Sequence, residues 1–329
     1  MLIYTTTEPE FGSEFARDIE QGLLKKNKEI KSKYFYDNIG SALFEQITFQ
    51  PEYYLAATEM AILKEYSRQI TSEFNLKEAS ILELGSGSST KTRILLSHLP
   101  ASYRQYYYFP IDVSQKILRE TIDSLTFDFP NLRVFGIASE YIKGVKKAEE
   151  LIFSERNIPS RKALLFLGSS IGNFEPSECR CFLRNITESL QSDDILIIGF
   201  DLQKNKEILE SAYNDKAQVT SKFNLNLLSR INRQLGGEFE LEKFKHLAFY
   251  NEKDSRIEMS LTSTENQDVS IKKIGRTFSF AATENIHTEN SYKYSLEQIE
   301  NIAGDAGLSV KKSFFDNKKW FNLTVLGLS

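Results

Sequence analysis

The chain has 329 residues, 41% of them hydrophobic and 12% aromatic, enough for one large domain or two medium ones around a substantial core. Its net charge of −4 and pI of about 5.7 exclude a global basic field that would favour nucleic acid or an anionic membrane. Cys179 and Cys181 sit too close together for an unstrained bridge, which excludes a disulfide framework; they read as reduced thiols on a helix, and no metal site is expected.

The opening, MLIYTTTEPEFGSEFARD, carries acids and no long apolar run, so no secretory leader is expected. No segment approaches the ~20 apolar residues of a membrane span. A soluble, cytoplasmic chain without membrane or nucleic-acid partners is therefore expected. From Phe15 to Ile47 the pattern mixes helix and loop. Thr58 to Phe74 reads as a helix, with Met60, Leu63, Tyr66 and Ile70 at helical spacing. Apolar strands and amphipathic helices then alternate. Strands are expected at 80–84, 106–111, 132–137, 163–167 and 195–200, and helices at 89–99, 114–125 and 176–190. That alternation predicts a doubly wound parallel sheet. After Asp201 come two helices, at 202–213 and 220–235, and strands at 238–250, 256–264 and 268–274 that suit an antiparallel unit. A helix at 296–306 and a strand near 320–328 close the chain. The layout is a Rossmann-like domain interrupted by a second domain, to which the N-terminal segment is assigned.

The most informative run is Ile81-Leu82-Glu83-Leu84-Gly85-Ser86-Gly87-Ser88-Ser89-Thr90-Lys91: a strand, a tight glycine turn and a helix start. Glycines let the backbone approach a bulky ligand, and the helix start offers backbone N–H groups. The third glycine of the dinucleotide fingerprint is missing, so a nicotinamide cofactor is disfavoured. The next strand ends at Asp112, placed to accept from ribose hydroxyls. After the third strand, Glu140 suits an adenine amino group and Tyr141 the face of the base. Singly, each acid would serve as well as a helix cap or a solvated loop residue. Together, Glu83, Asp112 and Glu140 suit adenosine without phosphates, hence S-adenosylmethionine.

The segment Tyr34-Phe35-Tyr36-Asp37-Asn38-Ile39-Gly40-Ser41-Ala42-Leu43-Phe44-Glu45, followed by Pro51-Glu52-Tyr53-Tyr54, resembles the opening signature of the histidine-specific methyltransferases. The similarity continues through Leu167-Gly168-Ser169-Ser170-Ile171-Gly172-Asn173-Phe174, Ala212-Tyr213-Asn214-Asp215, Phe223–Leu228, Arg256–Met259 and Thr288–Tyr294, nearly the whole chain in order. The resemblance implies a Rossmann-like class I methyltransferase sheet over 58–201 plus 292–329, with an α+β substrate-binding domain over 1–57 plus 202–291. It implies transfer of methyl groups from S-adenosylmethionine to the α-amine of L-histidine, up to three times, giving hercynine for ergothioneine biosynthesis; a monomer is expected. Carried over by position, Tyr53 and Gly168 line the amino-acid pocket, and Asn173 and Tyr213 hold its carboxylate and amine. Tyr36 lies near the amine, making Tyr36 and Asn173 the catalytic candidates. Met259, Glu289 and Ser291 surround the imidazole. Gly85, Lys91, Asp112, Glu140 and Tyr141 contact the cofactor.

Two departures stand out. Glu140-Tyr141 replaces the family's more usual Asp-Phe, and Leu55-Ala56-Ala57 replaces Pro-Thr-Arg, which calls for a looser lid or another anchor for the turn carrying Tyr53. The chemistry is an in-line displacement that needs alignment more than a strong base, since an α-amine of pKa about 8 loses its proton easily. Neutral donors on Tyr213 and Asn173 would hold the carboxylate without a cation near the sulfonium. Tyr36, Phe44 and Tyr53 could pack on a trimethylammonium. An acceptor at Glu289 and a donor at Ser291 would favour imidazole over indole. His98, His246 and His287 need no catalytic role. Two readings compete with this one: methylation of another amine such as tryptophan, and a silent S-adenosylmethionine-binding protein.

Overall fold

The computed structural model describes residues 3–6, 11–100 and 105–329, so residues 1–2 and 7–10 of the opening read above lie outside it. The chain forms two compact units. One comprises Met1–Thr7, Leu55–Gln203 and Tyr294–Ser329, the other Glu8–Tyr54 and Lys204–Lys293.

The first unit is built on one sheet. Its strands run in the order Ile3–Thr5, Gly136–Ala138, Tyr106–Asp112, Ser80–Leu84, Lys162–Phe166, Ile195–Asp201, Phe321–Leu328 and Leu308–Phe315, with Leu132–Val134 also beside Tyr106–Asp112. Pairing is parallel as far as Ile195–Asp201 and antiparallel over the last two strands. Ser80–Leu84 and Lys162–Phe166 are buried along their whole length, which is why they read as mostly apolar runs without a period-2 alternation, Ser80, Glu83 and Lys162 excepted. The chain enters the middle of the sheet at Ser80–Leu84, builds outward on one side, then returns to add Lys162–Phe166 on the other. Strand order reverses between these two strands, and ligands of such sheets bind at the carboxyl ends flanking that reversal. Gly85 and Gly168 follow those two ends.

Several expected boundaries change. The run 132–137 is two short strands broken at Phe135, whose ring stacks on Phe109 at 5.0 Å between centroids. The helix Tyr141–Ser154 was not expected, although Val145, Ala148, Leu151 and Ile152 bury one face. Gly144 lets it lie close to the sheet, because a Cβ there would come within 2.4 Å of Ile111 Cγ2. The N-terminal segment was assigned to the substrate-binding part as 1–57, yet Ile3–Thr5 pairs with Gly136–Ala138 in the parallel sheet. Three residues are too short for a period-2 signal, and only the free edge of Gly136–Ala138 gives them a place. Leu308–Phe315 was likewise unexpected. The chain leaves this sheet at Gln203 and re-enters at Tyr294, where Gln203 N donates to Tyr294 O at 3.0 Å and Tyr294 N to Asp201 O at 2.9 Å.

The second unit holds a four-stranded sheet in the order Lys28–Glu29, Asn285–Tyr292, Arg256–Ser263 and Phe244–Asn251, with a separate hairpin of Gln267–Ile271 and Arg276–Phe280. Its helices are Phe11–Leu24, Asn38–Thr48, Lys206–Tyr213 and Val219–Leu235. The expected strand over 238–250 begins only at Phe244, after a 3-10 turn at Leu241–Lys243. The strands Arg276–Phe280 and Asn285–Tyr292 were not anticipated. The Tyr34–Glu45 signature explains itself locally. Asp37 caps the helix Asn38–Thr48 by accepting from Gly40 N at 2.7 Å, accepts from Asn226 Nδ2 at 2.9 Å, and pairs with Arg233. Gly40 is required, since a Cβ there would stand 1.7 Å from the Phe35 carbonyl oxygen. Asp215 starts the helix Val219–Leu235 by accepting from Val219 N and Thr220 N at 2.7 and 2.8 Å.

Candidate active site

In the first unit, the turn after Ser80–Leu84 is left-handed at Gly85 (φ +67°) and Gly87 (φ +50°). Both amides beyond the strand point to its neighbour: Gly85 N and Ser86 N donate to Ile111 O at 2.8 and 3.2 Å. Asp112 ends that neighbouring strand. Its carboxylate accepts from Gly87 N at 3.0 Å and Ser114 N at 2.9 Å, clasping the turn. Burial pushes the Asp112 pKa up, and the amide donors oppose that rise. A Cβ on Gly85 would lie 3.4 Å from Tyr141 Oη, so the tyrosine covers the turn, braced by Phe166 and Phe182. Space above Gly87 is open, with nothing within 4 Å of a built Cβ. The structure thus brings Gly85, Asp112 and Tyr141 together. Glu140 stands at the start of the helix Tyr141–Ser154, its side chain 43% exposed, with Lys143 Nζ at 3.7 Å. Glu83, the third acid of the adenosine argument, is a correction. It faces inward, is almost fully buried, and accepts from the Tyr108 hydroxyl, which in turn meets Ser89 Oγ. Burial lifts its pKa to about 7.

Lys91 and Gly168 converge on a residue the sequence reading missed. Glu59 is fully buried, accepts from Lys91 Nζ at 2.6 Å, and accepts from Gly168 N at 2.9 Å with each oxygen. Its signal was available: Glu59 precedes the buried Ile62 and Leu63 by three and four residues, which puts an acid on the apolar face of its helix. Asn173 ends the 3-10 turn Ser170–Asn173, five residues past Gly168 and half-buried.

The remaining candidates belong to the second unit. Glu289 and Ser291 alternate on one face of Asn285–Tyr292, and both are buried. Met259 lies directly opposite Glu289 on the adjacent strand, and Ile257 opposite Ser291. The Tyr213 hydroxyl donates to Ser291 Oγ at 2.7 Å. His246 fixes the end of the helix carrying Tyr213: its Nδ1 meets Asn224 Nδ2 and its Nε2 meets Tyr213 O, both at 2.9 Å. Burial pushes the His246 pKa down, against the hydrogen bond to Tyr213 O and the charge of Asp215. A chain of aromatic rings links Tyr36 to Phe44, Phe44 to Tyr53 and Tyr53 to Tyr213, at 5.6, 6.3 and 6.2 Å between centroids. The turn carrying Tyr53 has a different anchor in place of the missing threonine and arginine. Lys204 Nζ donates to Tyr54 Oη at 2.8 Å, Lys216 N donates to Glu52 Oε1 at 3.4 Å, and Leu55 is buried.

Lys293 adds a basic side chain to this buried face that the sequence reading did not anticipate. It is 1% exposed, and its Nζ donates to Ser291 Oγ at 2.8 Å and Tyr213 Oη at 3.1 Å. A buried lysine runs against the composition rule, so only its spacing of two and four from Ser291 and Glu289 could have flagged it. Burial raises the Glu289 pKa to about 8, against the pull of Lys293. Among the described residues there is no cluster of metal-ligating side chains and no helix long and apolar enough to cross a membrane.

Known proteins match this arrangement along its length. A histidine N-alpha-methyltransferase of Mycolicibacterium smegmatis is 35% identical over 292 residues, covering 89% of this chain and 88% of its own. That of Mycobacterium tuberculosis is 33% identical over 309 residues, covering 94% and 93%. Ergothioneine biosynthesis protein 1 of Schizosaccharomyces pombe is 30% identical over 289 residues, covering 86% of this chain but 36% of that longer protein. The family described as "Histidine-specific methyltransferase, SAM-dependent" matches residues 15–328, and the clasped glycine turn and the buried Glu289–Ser291 face both fall inside that span; the chain belongs to this family.

Proposed function

We propose that the protein transfers methyl groups from S-adenosylmethionine to the α-amine of L-histidine, as far as the trimethylated product hercynine. The observation that carries the substrate is the buried face on which Glu289 and Ser291 stand side by side, with Met259 opposite. An acid that accepts and a hydroxyl that donates match the two unlike nitrogens of a neutral imidazole, and indole has no second nitrogen to meet Ser291. The histidine N-alpha-methyltransferases named above support the same substrate.

The residues of the first unit fit an adenosine-bearing cofactor without phosphates. Asp112 puts a carboxylate at a strand end, Tyr141 offers a ring beside the glycine turn, and open space lies over Gly87. A pyrophosphate would meet the Asp112 carboxylate there. When bound, S-adenosylmethionine supplies a methyl group on a sulfonium. For this chain's own residues, the proposal assigns Gly85, Lys91, Asp112, Glu140 and Tyr141 to the cofactor. Tyr53, Gly168, Asn173, Tyr213, Met259, Glu289 and Ser291 hold the amino acid, Tyr213 as an acceptor from the α-amine and not as a donor to the carboxylate, since its one hydroxyl proton goes to Ser291 Oγ. Tyr36 and Asn173 orient the amine lone pair by hydrogen bonding, and water takes the proton, because the amine's pKa of about 8 needs no strong base. As N–H groups are replaced by methyls, the linked rings of Tyr36, Phe44 and Tyr53 offer π-faces to the growing cation. The same proposal takes the enzyme to be a cytoplasmic monomer without a nucleic-acid partner; the acidic balance supports the last of these.

Incubation with L-histidine and S-adenosylmethionine, followed by mass detection of mono-, di- and trimethylated histidine, tests the reading. Absence of every product across pH 6 to 9 rejects it, and a preference for L-tryptophan in direct competition replaces it with the amine-methyltransferase alternative.

A further inference from the structure

We propose that Lys293 is a specificity-determining positioning residue that locks Ser291 as an obligate hydrogen-bond donor. The proposal rests on the reading of histidine as substrate. A lysine ammonium has three N–H donors and no acceptor, whereas a serine oxygen has two lone pairs and one proton. Lys293 Nζ donates to Ser291 Oγ at 2.8 Å and to Tyr213 Oη at 3.1 Å, with the Tyr213 ring centroid 5.0 Å from the ammonium. Tyr213 Oη passes the polarity on, donating to Ser291 Oγ at 2.7 Å. Ser291 therefore accepts twice. Both its lone pairs are used, and its own proton must go to a partner outside the trio. All three residues are buried, so no bulk solvent rearranges this order.

The consequence is chemical selection at the ring. A hydroxyl without such a lock turns to suit either a donor or an acceptor. Ser291 held in this way meets only an atom with a lone pair, while Glu289, two residues along the same face, takes the ring N–H. The face thus reads one N–H and one bare nitrogen together, and rejects a ring that keeps the N–H but has carbon in place of the second nitrogen.

The test uses the full-length protein and calorimetric titration with L-histidine and with the two pyrrolylalanines, each of which keeps one ring N–H and replaces the other nitrogen by carbon. The readout is the ratio of dissociation constants, the better pyrrolylalanine over histidine. For the wild type this ratio is expected to be about tenfold or more. In Lys293→Met it falls to within about threefold, because the Ser291 hydroxyl can then turn its proton to Tyr213 Oη instead of leaving it unpaired against the ring carbon; Lys293→Arg, which still donates, keeps most of it. Tyr213→Phe removes the other donor to Ser291 and also lowers the ratio, and it decides the matter if Lys293→Met does not fold. A ratio unchanged in Lys293→Met and Tyr213→Phe overturns the lock, even where absolute affinities fall, since a merely structural lysine would weaken all three ligands alike. Histidine binding by the wild type with a ratio near one overturns the lock and leaves the substrate reading standing; no histidine binding at all overturns the substrate reading itself.

Discussion

Glu289 shows how a single side chain records its surroundings. Its ordinary pKa of 4.5 rises to about 8 because burial disfavours the charge more than Lys293 restores it. Between those two values the folded chain holds a proton that the unfolded chain has released. Stability from this group is therefore greatest below pH ~4.5 and declines as pH climbs towards 8, above which the cost is constant. Glu289→Gln removes the titration, so its melting temperature relative to wild type should gain about 3 °C or more between pH 5 and pH 8.5 by calorimetry; a constant difference would place the carboxyl in contact with water. Asp112 makes the contrasting case. Asp112→Ala is expected to weaken S-adenosylhomocysteine binding by about tenfold to a hundredfold and to leave histidine binding within about twofold, because its contacts are to Gly87 and Ser114. Asp112 was legible in the sequence because it ends an apolar run beside a glycine turn. Lys293 was not, because nothing local in a polar stretch marks a buried ammonium.

At the scale of elements, the helix Asn38–Thr48 depends on its first turn. Asp37 caps it, ties it to Asn226 on the helix Val219–Leu235, and pairs with a partly exposed Arg233. Asp37→Ala should cost about 2 kcal/mol in urea unfolding, and Asp37→Asn, which keeps the cap, about half of that. Gly40→Ala is harsher: a methyl 1.7 Å from the Phe35 carbonyl oxygen cannot be accommodated without moving the helix, so a loss of about 3 kcal/mol or more is expected by the same measurement. The strand Asn285–Tyr292 teaches the opposite lesson about legibility. Thr288, Glu289 and Ser291 are all buried and all polar, and the pairing shifts register at Thr288, which faces no residue across the ladder, so the hydrophobic alternation that betrays a strand is missing. On the proposed reading, Glu289 and Ser291 are kept polar by the ligand at the expense of the pattern that marks a strand. The strands Ser80–Leu84 and Ile195–Asp201, buried along their length, suffered no such conflict and were read correctly.

At the scale of the molecule, each unit is assembled from separated stretches of chain. The alternation of strands and helices made the parallel sheet legible, whereas the edge strand Ile3–Thr5 takes its place from a partner 133 residues on and carries no pattern of its own. The assignment of ligands to units predicts a division in hydrogen exchange. S-adenosylhomocysteine should slow exchange at the amides of Gly85–Lys91 and Ser114, and L-histidine at those of Glu289–Lys293. Equal slowing of both sets by either ligand would reject the assignment. The paired backbone of Gln203 and Tyr294 has a wider consequence. Residues 204–293 leave and rejoin the sheet through neighbouring strand ends, so topologically they are a cassette. A homologous stretch from a relative can be grafted between Gln203 and Tyr294 without breaking a rung of the large parallel sheet, but residues 8–54 must travel with it, because Lys28–Glu29 pairs with Asn285–Tyr292 and Asp37 with Asn226.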